Sequence, residues 1–233
     1  MKNNKSFLES YLRMKQYVII VAGGNGSRMN SAVPKQFMLL KNRPVLMHTI
    51  ERFIQFNPTI EIVLVLPNDQ FDTWKELCIE YDFTAEHKLV LGGKERFWSV
   101  QNGLDAVDEG GIVFIHDGVR PLVSLETIQR CLDKTLEKGN AVPVLPVVES
   151  LRQVEDEKNQ MADRTRFVTI QTPQVFKTEE IKAAYHMGFD PSFTDDTSVL
   201  ERLGKKINLV EGNRENIKIT HPVDLKFAEA MLK

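Results

Sequence analysis

The sequence predicts an α/β fold: a mostly parallel central sheet with helices on both faces, plus a β-hairpin arm. Three observations carry this. Apolar runs of strand length recur through the first two thirds of the chain, stretches with helical spacing fill the gaps between them, and the alternation stops after Val148. At 233 residues and 42% hydrophobic content the chain can bury a sizeable core. One domain is expected over residues 15–233, after a polar N-terminal extension at 1–14.

The first strand is Tyr17 to Val21, and it runs straight into Ala22, Gly23, Gly24, Asn25, Gly26 and Ser27, followed by Arg28 and Lys35. Glycines let the backbone approach a ligand closely, and exposed N–H groups can face phosphate oxygens. No Lys-Ser/Thr follows the glycines, and G-x-G-x-x-G is absent, so this is neither a P-loop nor a dinucleotide loop. The order strand, glycine loop, two cations points to a nucleoside triphosphate.

Further strands are expected at Ile60 to Leu66, Lys88 to Leu91, Ile112 to Ile115, Ala141 to Val148 and Ile207 to Glu211. Helices are expected at Pro44 to Phe56, Phe71 to Tyr81, Arg96 to Val107, Leu125 to Lys138, Thr178 to Met187, about Asp195 to Leu203, and around Val223 to Leu232. Thr73 and Ser124 suit helix starts, and Gly139 suits a stop. Residues from about 149 to 172 read as two polar extended segments joined at Glu155 to Gln160, a hairpin arm. A two-stranded ribbon is marginal alone, so the arm is expected to lean on a second copy of the chain.

Ligands of such sheets gather at the carboxyl ends of the strands. Three segments there stand out. Ile112 to Pro121 ends a buried strand at His116-Asp117 and continues through Gly118 to Arg120. Asp117 stands where Mg²⁺ is wanted, since that ion usually takes one or two carboxylates plus substrate phosphates. A helix-capping or loop-bracing aspartate is the plainer reading of it alone, and the glycine loop at another strand end favours the ligand. Leu91 to Ser99 is a second glycine turn opening into a helix, suited to an anion or a base edge, or simply a tight turn. Asn216 to Thr220 presents Lys218 from an extended segment.

Composition excludes several classes. A net charge of −2 offers no basic field for nucleic acid. The five histidines show no zinc spacing, and Cys78 and Cys131 form no framework. No apolar leader core or membrane-length stretch is visible, so a cytoplasmic protein is expected. Asp195-Asp196 reads as a helix cap with an acidic first turn. No Ser/His/Asp set is legible.

Taken together, these motifs resemble the 2-C-methyl-D-erythritol 4-phosphate cytidylyltransferases. The likeness runs from about Tyr17 to the C-terminus. A-A-G-x-G-x-R-M…P-K-Q is matched at Ala22 to Met29 and Pro34 to Gln36, G-G-x-x-R…S-V at Gly92 to Val100, and T-P-Q at Thr172 to Gln174. The T-D…E-R-L-G…V-E-G…N-I-K-[VI]-T tail lies at Thr194 to Thr220. The resemblance implies a Rossmann-like nucleotidyltransferase fold and transfer of a cytidylyl group from CTP to a polyol phosphate, with Mg²⁺ and loss of pyrophosphate.

It implies roles as well. Arg28, Lys35, Arg164 and Lys218 would be catalytic, the first two on the triphosphate and the last two on the acceptor phosphate. Ala22 to Ser27 with Gly92, Gly93, Arg96 and Ser99 would bind the nucleotide, while Asp117, Gly118, Arg120, Ser150 and Thr172 would line the acceptor, Asp117 beside the metal. The family's arm joins a homodimer, which would carry Arg164 into the neighbouring site. The chain departs from the family at Gly23, at Gly118-Val119 and at Glu149 to Arg152. Rival readings are a ribitol-5-phosphate cytidylyltransferase and a non-catalytic nucleotide-binding module; a glycosyltransferase would want D-x-D, and Ile115-His116-Asp117 lacks the first carboxylate.

Overall fold

The computed structural model describes residues 14–23 and 33–232. Four parallel strands form its spine: β1 (Gln16–Val21) lies between β4 (Glu61–Leu66) and β6 (Ile112–Asp117), and β5 (Lys88–Leu91) pairs with β4. Two-residue strands β2 (Leu39–Leu40) and β3 (Arg43–Pro44) form a separate small hairpin. The sheet continues beyond β6 through β11 (Gln174–Lys177), β7 (Asn140–Pro146) and β10 (Val168–Ile170), with β12 (Leu209–Glu211) parallel to β7.

Alternation along β1 shows how the layers are built. Val18 and Ile20 face a core shared with α1 (Val45–Phe56), α2 (Phe71–Glu80) and α4 (Leu125–Lys138), through Leu46, Ile50, Phe53, Trp74 and Ile128. Tyr17 and Ile19 face the opposite core, made with α3 (Arg96–Asp105), α5 (Thr178–Tyr185) and α6 (Asp196–Glu201). Period two in the strand and 3.6 in the helices thus meet on both faces. A third cluster seats α7 (Pro222–Met231), where Leu40, Val45, Val119, Ile219 and Ala228 are buried together.

Most helix boundaries follow their signals. Ser124 Oγ accepts a hydrogen bond from the Thr127 N–H at the start of α4, and Gly139 closes that helix at φ 92°. Thr73 does not start α2. A 3-10 turn at Asn68–Gln70 feeds directly into Phe71, so the helix begins earlier and needs no side-chain cap.

The arm is shorter than the sequence suggests. Strands β8 (Leu151–Glu155) and β9 (Lys158–Ala162) pair across a two-residue turn at Asp156 and Glu157, with Asp156 at φ 50°. After a 3-10 turn at Arg164–Arg166 the chain rejoins the main sheet as β10 and then β11, both antiparallel to β7. Those two strands are one return path with a swelling in it: Ile170 pairs with Val144 and Val175 with Ala141, five steps against three. β11 wedges between β6 and β7, and this antiparallel insertion was invisible in the sequence.

Candidate functional site

β1, β5 and β6 end on one side of the sheet, and the loops leaving them enclose two adjoining cavities. The first, about 310 Å³, is lined by residues that include Ala22, Gly23, Lys35, Arg96, Ser99 and Lys218. The second, about 270 Å³, takes Arg120, Gln171, Thr172 and Asp195 into its wall. Arg96, Asp117 and Lys218 belong to both and form the partition between them. A larger hollow of about 660 Å³ opens at the amino ends of β4 and β5, against residues such as Glu61 and His87, but it has neither a glycine loop nor a cluster of cations.

The glycine turn after β5 is shaped by its helix. A Cβ on Gly93 would stand 2.2 Å from Cβ of Trp98, so any other residue has to displace the start of α3. The Gly93 N–H donates to Ser99 Oγ at 3.0 Å, and that hydroxyl donates to the Glu95 carbonyl. Gly92 and Gly118 stand behind the lining, their N–H groups bonded to the carbonyls of Leu66 and Val21. Gln36, also buried, donates from Nε2 to the Ala22 carbonyl at 2.8 Å and to Gln70 Oε1, tying the first loop to the start of α2. Gly24, Asn25, Gly26, Ser27 and Arg28 lie outside the described residues.

Asp117 ends β6, 7% exposed, with three cations around it. Its Oδ2 accepts from Arg120 Nε at 2.9 Å and lies 3.1 Å from Lys218 Nζ; its Oδ1 lies 3.9 Å from Arg96 Nε. Burial pushes the carboxyl pKa up, but Lys218, Arg120 and Arg96 overcome this and hold it well below the ordinary carboxylate range. Arg120 also donates from Nη1 to the Asn216 carbonyl, and Ile219 N bonds the Val119 carbonyl, which is how the last loop is pinned where Lys218 can reach Asp117.

Two supports went unread in the sequence. His116 is fully buried; its Nδ1 accepts from Thr172 Oγ1 at 3.1 Å, which leaves the proton on Nε2, donated to the Arg120 carbonyl. Burial lowers its pKa to about 4. Thr172 Oγ1 in turn accepts from the Asp117 N–H, so one imidazole holds both walls of the second cavity. Asp196 is fully buried beneath Arg96, bound to it by two 2.7 Å hydrogen bonds, while its neighbour Asp195 caps α6 by accepting from Ser198 N. The T-D-D run carried the cap signal; nothing in it distinguished the second carboxylate.

Arg164 and Ser150 are not brought to these cavities within one chain. Both are exposed beside the arm, and Arg164 donates to the Val148 carbonyl. Among the described residues no group of three or more His, Cys, Asp or Glu side chains is placed to hold a metal. Among those same residues Asp117 Oδ1 has no hydrogen-bonding cation, so the donor set fits an ion that draws most of its ligands from phosphate and water. No helix among the described residues is long and apolar enough to cross a membrane.

Comparison with known proteins agrees with this geometry. The family model described as 2-C-methyl-D-erythritol 4-phosphate cytidylyltransferase matches residues 16–233. The chain is 51% identical to the protein of that name from Bacteroides thetaiotaomicron, over 94% of this chain and 100% of the other, and 49% identical to that from Porphyromonas gingivalis, over 95% and 99%. The crystal structure of the Thermus thermophilus protein of the same name superposes with TM-score 0.74 at 31% identity, covering 94% and 98%. 4-diphosphocytidyl-2C-methyl-D-erythritol synthase from Anaerococcus prevotii superposes with TM-score 0.82 at 27% identity, covering 97% and 98%. On the match across nearly its whole length, the chain belongs to the IspD family, the 2-C-methyl-D-erythritol 4-phosphate cytidylyltransferases.

Proposed function

We propose that the two adjoining cavities are the CTP and acceptor halves of one active site, and that the chain transfers a cytidylyl group to 2-C-methyl-D-erythritol 4-phosphate within isoprenoid-precursor synthesis. The observation that carries this is the partition: three cations gathered on one buried carboxylate between two hollows at the strand ends. Two polyanions have to meet there. A phosphate monoester is already largely dianionic at neutral pH, so its oxygen attacks the α-phosphorus of CTP without a general base. The new P–O bond forms as the bond to the β-phosphate oxygen breaks, and pyrophosphate leaves with both electrons.

What the protein has to supply is position and positive charge. Lys35, on the 3-10 turn Lys35–Phe37, faces the triphosphate cavity, with Arg28 assigned beside it. Lys218 and Arg120 receive the acceptor phosphate, and Thr172 with Asp117 holds its hydroxyl chain. A magnesium ion on the phosphates, with Asp117 Oδ1 as its protein ligand, would screen the developing charge. The backbone of the Ala22–Ser27 loop and the Gly92–Ser99 turn take the nucleotide.

Homodimerisation supplies Arg164 and Ser150 from the neighbouring chain's arm. Val154 and Met161 share one face of the hairpin and are 71% and 77% exposed, and the edge strand β10 exposes Val168 and Ile170. Apolar residues on an open edge call for a partner. A panel of CTP with methylerythritol phosphate, ribitol 5-phosphate and other polyol phosphates, scored by Mg²⁺-dependent pyrophosphate release, tests the reading. Methylerythritol phosphate is expected to turn over fastest; equal or faster turnover with ribitol 5-phosphate overturns the acceptor, and no turnover with any of them leaves a binding module.

A further inference from the structure

Arg96 takes its direction from a carboxylate outside the partition. It is the first residue of α3, and its guanidinium reaches away from that helix to α6, where Nη1 and Nη2 each lie 2.7 Å from one oxygen of Asp196. Asp196 is fully buried and takes a third hydrogen bond, 2.6 Å, from the hydroxyl of Tyr185 at the end of α5. Tyr185 is itself 1% exposed and stacked on Phe97, the residue after Arg96. Burial and the adjacent carboxylate raise the phenol pKa well above its ordinary value, so it remains a donor.

This arrangement opposes a competing one. Asp117 Oδ1 stands 3.9 Å from Arg96 Nε, close enough for strong attraction and too far for a hydrogen bond. A flexible arginine with both carboxylates in reach would close on either. The bidentate fork on Asp196 fixes the guanidinium plane, uses two of the five N–H groups, and keeps Arg96 from folding onto Asp117 Oδ1. The remaining N–H groups and that oxygen are then left to face the junction of the two cavities.

We infer that Asp196 and Tyr185 are positioning residues for the transfer reaction: they hold Arg96 off Asp117 and aim its free edge at the substrates. This rests on the reading of the two cavities as one active site. Neither residue lines the first or second hollow, and the side chain that both support there is Arg96.

A double-mutant cycle separates that path from simple loss of packing. Asp196→Asn and Tyr185→Phe are made in the wild-type chain and again in Arg96→Lys, which keeps the charge but cannot make the fork. CTP affinity is measured by calorimetry without acceptor, kcat and both KM values by pyrophosphate release, and folding by thermal unfolding. In the wild-type background Asp196→Asn is expected to raise KM for at least one substrate about tenfold, and Tyr185→Phe about threefold. In the Arg96→Lys background each is expected to change the same constants less than twofold.

Equal factors in both backgrounds overturn the inference, as do unchanged KM values and CTP affinity in the two single variants. Should Asp196→Asn fail to fold, the Tyr185→Phe cycle decides alone, because that change removes one hydroxyl and leaves the ion pair. A wild-type chain that binds CTP but transfers it to no polyol phosphate sinks the activity reading instead, and the cycle is then scored on CTP affinity.

Discussion

Lys218 Nζ lies 3.1 Å from Oδ2 of Asp117, which brings the last loop of the chain onto the carboxyl end of the central strand β6. Asp117 keeps Arg120 when Lys218 is removed, so folding does not depend on the pair. Lys218→Ala is expected to raise the acceptor KM roughly thirtyfold, the worth of about 2 kcal/mol for a charged hydrogen bond. The CTP KM is expected to move less, and thermal unfolding by only a few degrees. Steady-state kinetics with each substrate varied in turn checks this.

Arg164 and Lys35 stand apart in the single chain, and a shared site predicts that they complement. Lys35→Ala alone is expected to lower kcat by two or more orders of magnitude, the usual cost of about 3 kcal/mol for one charge-stabilising donor. Arg164→Ala alone is expected to cripple acceptor use. Co-expression with two tags isolates heterodimers, in which one of the two sites is intact. Recovery of a sizeable fraction of wild-type activity supports exchange of arms, whereas none in verified heterodimers places each site within one chain.

His116 predicts a pH dependence of folding. It is buried neutral with a pKa of about 4, against 6.5 in the unfolded chain, so the unfolded state binds the extra proton between those values. Stability is therefore constant above pH 6.5 on this account and falls as pH drops toward 4, by at most about 3 kcal/mol. Urea unfolding of wild type and His116→Gln at half-unit steps isolates the contribution. Parallel curves for the two proteins over pH 6.5 to 4.5 contradict it.

Gly93→Ala predicts a purely steric loss. The added methyl meets Cβ of Trp98 at 2.2 Å and its carbonyl carbon at 2.9 Å, and backbone has nowhere to go. Overpacking of this kind costs about 1–3 kcal/mol and moves the Gly93 N–H off Ser99 Oγ. Lower thermal stability together with weaker CTP binding is the expected pair of results, measured by calorimetry; an unchanged midpoint shows that the turn can relax.

Legibility in the sequence followed the reach of each signal. Continuous apolar runs were enough for β1, β4, β5 and β6 and period 3.6 for the helices between them, because β1, β4 and β6 lie between two cores while each helix buries one stripe. β11 escaped because only Val175 and Phe176 in it are apolar, a run too short to stand out, inserted against the direction of β6 and β7. Asp117 and Lys218 could be suspected from strand-end and loop positions, but their contact is long-range and left no trace in spacing. Asp196 was hidden by its neighbour: a cap explains one acidic residue at a helix start, and a second there costs nothing to accept.

The five-against-three swelling between β10 and β11 has a consequence for how this chain tolerates change in length. Loops at the outer turns, such as Asp156-Glu157, can gain or lose residues without moving anything catalytic. The return strand cannot. Shortening it by two would let the sheet zip without interruption and would carry Thr172 away from the Asp117 N–H it now meets, trading reaction geometry for regular pairing. Chain length at this one point acts as a ruler for the site, set by a count of residues rather than by their identity.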